Sequence, residues 1–423
     1  MFNSLNIGVK LVISMAITII LGLIVFVAVV SVQVGQTMQS EAEKLMLQAS
    51  KRYANKIEGA LNENIALIKA NTRVITDSIR MSGSFDIKDA ESNIESIFES
   101  SSYASYAFVI LNNNEFLNSE NTIKKEYKSE RGSFGMVFHD SDLTKVGGLE
   151  TLQFSEKVKD SPVVKRINSS VSGRDLDTIY IGIPTKVDFG KGEFIGINIA
   201  MPIFSPKGDY IGIVGYTFDF MDFADTLLDK RLDLFEGDYR VLLAGDGTVS
   251  VHPNPDMLLK NITEINKRSP ESSAKVLEAV KTNHDTVLDG YTSPNGNASF
   301  AAVASITTVG DSSHWSILTA VPKDSVLASL HKIQFLFIIL SIVFLAIVLF
   351  IVYFQVHRII GRRLPVLVNA LDSFFRYINH EKVEVRAITI RANDELGKMA
   401  AAINDNIKAT KEGLDQDKQA VKE

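Results

Sequence analysis

The 423-residue chain contains no cysteine and a single tryptophan, Trp315. The first absence removes disulfide frameworks, thiolate metal sites and cysteine nucleophiles together. Charge of one sign is also lacking. Lys and Arg number 44 against 50 Asp and Glu, a mildly acidic balance with no basic footprint for nucleic acid. The seven His residues, at positions 139, 252, 284, 314, 331, 357 and 380, form no His-x-His or His-Glu-x-x-His spacing and sit in no local carboxylate grouping of metal-ligand type. No Gly-x-x-x-x-Gly-Lys loop occurs, and Gly190-Lys191-Gly192 does not lie between a strand and a helix. The expectation is a chain without catalysis, metal or cofactor.

What is present in abundance is uninterrupted apolar sequence. Leu11 to Val32 and Phe335 to Phe354 contain no charged residue. Each reaches the roughly 20 residues that a helix rising about 1.5 Å per residue needs to cross ~30 Å of hydrocarbon. The first run is too long for the apolar core of a cleaved signal peptide, and a second run follows far downstream. Basic residues set the orientation: Lys10 precedes the first run, and His357, Arg358, Arg362 and Arg363 follow the second. These short flanks are expected in the cytoplasm and the long segment between the runs outside. Residues 1–10 then form a cytoplasmic N-terminus, 11–34 and 334–356 two transmembrane helices, and 35–333 an extracytoplasmic domain.

Just beyond the first run, apolar positions recur as Met38, Ala42, Leu45, Ala49, Tyr53, Ile57, Leu61, Ile65, Ile68, Thr72, Ile75 and Ile79. Steps of three and four predict one long amphipathic helix continuing from the membrane. From Tyr103 the pattern becomes strand-like: Ser105 to Leu111, Ile179 to Ile183, Phe194 to Phe204 and Tyr210 to Phe220, the last two joined through Pro206-Lys207-Gly208-Asp209. Between the first two strands, Lys124 to Arg174 reads as a polar, irregular loop of a length that is usually functional. A second group comprises Tyr239 to Ala244, Thr248 to His252, Gly290 to Thr292, Ala298 to Ser305 and Trp315 to Ala320, with Asp246-Gly247 and Asn295-Gly296 as turns. Two antiparallel sheets in tandem are predicted.

Over roughly residues 36 to 333 this order of motifs resembles the double Cache sensors of bacterial chemotaxis receptors. Asp246-Gly247-Thr248 followed by His252-Pro253-Asn254 is similar to the entry of the membrane-proximal module, Trp315 to Pro322 to its exit strand, and Gly208 to Phe220 to the strand closing the distal module. The resemblance implies an α+β fold: two PAS-like antiparallel sheets on a long N-terminal helix, the distal module at about 80–225 and the proximal one at about 236–325. Residues 357–412 resemble a HAMP linker, an all-α segment. Pro365 opens a stripe of Leu367, Leu371, Phe374 and Ile378, and Asp394-Glu395-Leu396-Gly397 opens a second with Met399, Ile403 and Ile407. Such stripes need partner helices, so a homodimer forming a four-helix bundle is expected. Residues 413–423 read as the start of a signalling helix cut short at Glu423.

The resemblance implies a bacterial inner-membrane chemoreceptor, a methyl-accepting chemotaxis protein, coupled through a missing C-terminal region to a cytoplasmic chemotaxis kinase and adaptor. The rival reading is the input half of a histidine kinase or diguanylate cyclase. Family members that bind amino acids hold the α-carboxylate with an Arg-x-Trp-Tyr-like stretch and the ammonium with Asp residues on two strands. This sequence departs from both features. Trp315 lies in the proximal module, Gly182 follows Tyr180 where an Asp is common, and Thr217 stands at the second acidic position. A small carboxylate or hydroxy acid, or else a neutral molecule, is therefore expected in place of a free amino acid, because a desolvated ammonium needs charged acceptors. The expected site comprises hydroxyls from Tyr180 and Thr217, walls from Tyr106 and Phe108, and a cation from Lys157 or Lys159. Docking of a soluble periplasmic binding protein is the competing partner.

Overall fold

The structure is a computed structural model that describes residues 6–118, 122–171, 177–379 and 381–420. The chain divides into two units, Gln36–Ser329 and Met1–Gly35 with Leu330–Glu423.

Helix α1 spans Ile7–Ser82. In the larger unit its buried positions include Ala42, Met46, Ser50, Tyr53, Ile57, Leu61, Ile65, Ile68, Ile75 and Ile79. Leu45, assigned to that stripe from the sequence, is 47% exposed, and Met46 is buried in its place. A step of four from Ala42 stays in phase with Ser50 and Tyr53 at 3.6 residues per turn, whereas a step of three drifts off the face. Helix α2, Ile87–Phe98, is capped by Asp86, whose carboxylate accepts the Asp89 N–H.

The first sheet has seven strands: β1 (Ala104–Leu111), β2 (Gly135–Asp140), β3 (Leu149–Leu152), β4 (Tyr180–Ile181), β5 (Thr185–Val187), β6 (Phe194–Phe204) and β7 (Tyr210–Asp219). Their order is β3-β2-β1-β7-β6-β4, with β5 also on β6, and every pairing is antiparallel. The segment read as an irregular loop contains β2, β3 and the short helices α3 (Glu156–Lys159) and α4 (Pro162–Ser170). Its end at Arg174 lies outside the described residues. Alternation along the strands gives the sheet two covered faces. Ala107, Val109, Ile197, Ile199, Val214 and Tyr216 pack on α1 and α2, while Tyr106, Phe108, Ile110, Ala200 and Ile213 pack under α3 and α4.

Helix α5 (Met221–Leu227) leads into the second sheet, built from β8 (Tyr239–Ala244), β9 (Val249–Val251), β10 (Thr286–Thr292), β11 (Ala298–Thr307) and β12 (His314–Pro322) in the order β10-β11-β12-β8-β9. Helices α6 (Ile262–Ile265) and α7 (Pro270–Thr282) cover its outer face. Strand β10 begins at Thr286, four residues ahead of the predicted Gly290, because the register shifts between Leu288 and Tyr291 and breaks the alternation there. The inner faces of both sheets meet along α1 in one apolar cluster, where the Phe220 and Trp315 rings pack at a tilt of 54° with centroids 5.4 Å apart.

In the smaller unit, α8 (Lys323–Val356) accompanies the first part of α1. A Cβ built on Gly8 would lie 3.2 Å from Val356 and one on Gly35 would lie 3.4 Å from Leu330, so the two helices run antiparallel. Both are long and apolar enough to cross a membrane, and their most apolar windows are not covered by protein. Helices α9 (Leu364–Ile378) and α10 (Glu395–Ala420) share a cluster of Leu367, Phe374, Val385, Ala400, Ile403 and Ile407. Asn404 grips the connector between them, accepting the Ile388 N–H at 2.7 Å and donating to its carbonyl at 2.9 Å. Arg363 binds Asp394 at 2.7 Å at the start of α10.

Candidate ligand-binding site

The outer face of the first sheet is where side chains could meet a ligand, because the inner face is filled by α1 and α2. Register places Tyr106 opposite Thr217, and Thr217 opposite Asn198, in one row across β1, β7 and β6. The row continues to Gly182, whose N–H donates to the Asn198 carbonyl at 2.8 Å. Thr217 is fully buried and its hydroxyl donates to Asn198 Oδ1 at 2.7 Å. Two of the residues singled out in the sequence, Tyr106 and Thr217, are thus cross-strand neighbours. Asn198, which joins them, was missed, since one Asn inside an apolar strand resembles a tolerated polar position.

Gly182 has a steric reason. A Cβ there would lie 3.1 Å from the Asn198 carbonyl oxygen and 3.7 Å from Val163 of α4. Glycine lets the chain after β4 run close to the Asn198 carbonyl, and any side chain there would crowd that oxygen. Phe108 is similarly constrained: it is fully buried and fills the place of a side chain at Gly215, where a Cβ would come within 2.2 Å of its ring. Tyr106 stacks on Phe194 and Phe189 at 5.2 and 4.7 Å and packs at a tilt against His139 at 4.6 Å. It lines a hollow of about 490 Å³ beside His139 and Asp140. Burial is the main cause that pulls the His139 imidazole below its ordinary value of 6.5, reinforced by Lys191 and opposed by Glu150.

A second cavity, of about 290 Å³, opens between the α3–α4 segment and the strands β5 and β6. Its walls include Lys157, Ser161, Asn198, Asp188 and Phe189. Among the described residues, the Lys157 ammonium has no ion pair. Other charges are already matched: Asp160 pairs with Lys165 at 3.2 Å, and Glu193 with Lys186 at 3.1 Å. Asp188 accepts the Gly190 N–H at 2.8 Å. Lys159 reaches elsewhere, donating to Ser133 Oγ at 3.3 Å. Tyr180 is half-buried against the outer-face cluster. Of the six residues assigned from the sequence, Lys157 lines this cavity and Thr217 bonds its Asn198, whereas Tyr106 lines the other hollow, Phe108 is core, Tyr180 is half-buried on the outer face and Lys159 turns to Ser133. No group of His, Asp or Glu among the described residues could hold a metal ion.

No family model matches the chain, and no curated protein matches it in sequence. Solved structures do. The periplasmic sensory domain of the Campylobacter jejuni chemoreceptor Tlp1 is 28% identical, with a TM-score of 0.62 over 69% of this chain and 98% of that one. A methyl-accepting chemotaxis protein X is 17% identical, with a TM-score of 0.52 over 67% of this chain and 99% of that domain. An extracellular domain described as that of histidine kinase mmHK1S-Z3 is 16% identical, with a TM-score of 0.50 over 68% and 97%. The last two likenesses speak to the fold alone. Two antiparallel sheets on one long helix give this chain the fold of Cache-like sensor domains, similar to the periplasmic sensory domain of the Campylobacter chemoreceptor.

Proposed function

We propose that the chain is the sensing and transmembrane part of a chemotaxis receptor. It binds a small extracellular molecule in the first-sheet module and passes the event through α8 to the helices beyond. The carrying observation is the cavity under α4, where Lys157 presents a cation with no ion-pair partner among the described residues. An ammonium without an ion pair on a cavity wall favours an anionic ligand, although Lys157 is itself exposed. A small carboxylate or hydroxy acid is the favoured class, since no acidic side chain occupies positions 182 or 217. A free α-amino acid is the second reading, favoured by Asp188, which lines the same cavity with only a backbone N–H as partner.

Transmission needs only that the ligand prefer one of two packings by a few kcal/mol. Strand β12 ends at Pro322 and α8 begins at Lys323 without a linker, so displacement of the second sheet acts on that helix directly. Helices α9 and α10 leave apolar side chains such as Val366, Phe375 and Met399 exposed at 51%, 58% and 46%. A HAMP-type bundle in a homodimer covers such residues. Calorimetric titration of the full chain in detergent against short organic acids and against amino acids tests the ligand class. Tight binding of an amino acid, with no response to organic acids, rejects the favoured class.

A further inference from the structure

The connector between α9 and α10 closes a hollow of about 430 Å³ against α9. Four guanidinium groups stand on its walls: Arg362 and Arg363 just before α9, and Arg386 and Arg391 on the connector. Two of them are matched. Arg363 binds Asp394 at 2.7 Å, and Arg386 binds Glu384 at 2.9 Å. Arg362 and Arg391 form no ion pair among the described residues, and Glu384 is the one carboxylate among the lining residues. The connector runs without regular structure there, so the N–H groups of Thr389, Ile390 and Arg391 meet no protein acceptor among the described residues. Donors and positive charge therefore gather around a space that no acid fills.

Position selects the anion. Arg362 lies eight residues beyond Phe354, where the second apolar run ends. At about 1.5 Å per residue that is roughly 12 Å, and a long arginine side chain reaches back toward the interface. The bond from Arg363 to Asp394 draws the far end of the connector to the same level, and Arg391 arrives with it. Ile390 also lines the hollow and is 51% exposed, and Ile359 is 52% exposed just before Arg362. Apolar side chains beside unmatched guanidinia fit a molecule with phosphate at one end and hydrocarbon at the other. Free phosphate would leave Ile390 uncovered.

Resting on the reading that α1 and α8 cross the membrane, we infer that this hollow holds the phosphate of an anionic phospholipid headgroup, with Arg362 and Arg391 as the residues that recognise it. The planar fork of each arginine matches two phosphate oxygens at once. A headgroup held there ties the connector to α9 and anchors both to the membrane surface.

The test reconstitutes the full-length chain into phosphatidylcholine nanodiscs carrying a graded fraction of phosphatidylglycerol. The lipids that stay bound after transfer to detergent are then counted by native mass spectrometry. Phosphatidylglycerol is expected to be retained well above its bulk share, and Arg362→Gln or Arg391→Gln should each lower that excess about fivefold. Arg362→Lys keeps the charge but loses the fork, so it should lower the excess as well. Arg358→Gln removes a like charge outside the hollow and should preserve most of it. An equal loss with Arg358→Gln, or full retention with Arg362→Lys, reveals a diffuse surface field and overturns the site. Soluble glycerol 3-phosphate that competes as strongly as the lipid overturns the lipid as occupant. A chain that enters the nanodiscs and retains both lipids in their bulk ratio overturns the headgroup site alone, whereas a chain that fails to enter them overturns the reading of α1 and α8 as membrane crossings.

Discussion

Arg240 shows how much one side chain can hold. It is 2% exposed, and its guanidinium donates to the Leu227 carbonyl at 2.9 Å, Asp233 at 2.6 Å, Asp238 at 2.8 Å and the Tyr53 hydroxyl at 3.3 Å. The Asp238 side chain is fully buried. These partners come from α1, from the end of α5 and from the segment that enters the second sheet, so Arg240 fastens the junction of the two modules. Arg240→Ala would strand the Asp238 carboxylate and is expected to cost about 3–5 kcal/mol in chemical denaturation. Lysine at 240 should recover only part of that, because one ammonium cannot reproduce the planar fork. His139 gives a pH signature. Burial, with help from Lys191 and against Glu150 and Asp140, lowers its folded value below the ordinary 6.5. The folded state then binds fewer protons than the unfolded chain, so this stability is complete above about pH 6.5 and is lost as the pH falls through the lower folded value. His139→Gln should flatten the decline in melting temperature between pH 7.5 and 5.5. An unchanged slope would count against it, with His252, also lowered by burial, as the other source.

Elements differ in how openly the sequence announces them. Strand β6, Phe194–Phe204, and strand β8, Tyr239–Ala244, match the residues expected from their apolar runs, because turn residues bracket both. Strands β2 and β3 gave no such signal. Gly135–Asp140 is six residues long and buried almost throughout, and Leu149–Leu152 is a four-residue edge strand. Their polar surroundings hid them, and the sheet's hydrogen bonds, not local preference, fix them. The lining of the candidate cavity follows the same division. Side-chain chemistry singles out Thr217 and Lys157, whereas Asn198 and Ser161 reach the cavity only because the sheet and α4 bring them there. Gly215 illustrates packing that no pattern reveals, since a methyl there would strike the Phe108 ring at 2.2 Å. Gly215→Ala is expected to destabilise by roughly 1–3 kcal/mol, and adding Phe108→Leu should recover part of the loss in a double-mutant cycle.

At the scale of the whole molecule, the receptor reading depends on which side of a membrane each part occupies. The two apolar helices run antiparallel, and side chains such as Leu21, Val25, Phe335 and Phe350 are 59%, 62%, 66% and 70% exposed with no protein over them. Such surfaces are stable only in hydrocarbon or under another chain. In the proposed receptor both helices cross the membrane, and two opposed crossings put the sheets between them on the side away from the chain's start. In that proposal the positive charges at Arg358, Arg362 and Arg363 put the starting side in the cytoplasm. Because the sequence contains no cysteine, a single introduced thiol reports its own location without background. Asn295 sits exposed in the turn between β10 and β11. In intact cells whose outer barrier admits the reagent, Asn295→Cys is expected to react with a membrane-impermeant maleimide, while Arg358→Cys reacts only after lysis. The opposite pattern, or equal protection of both, would place the sheets inside and leave the cavity under α4 with no extracellular ligand to meet.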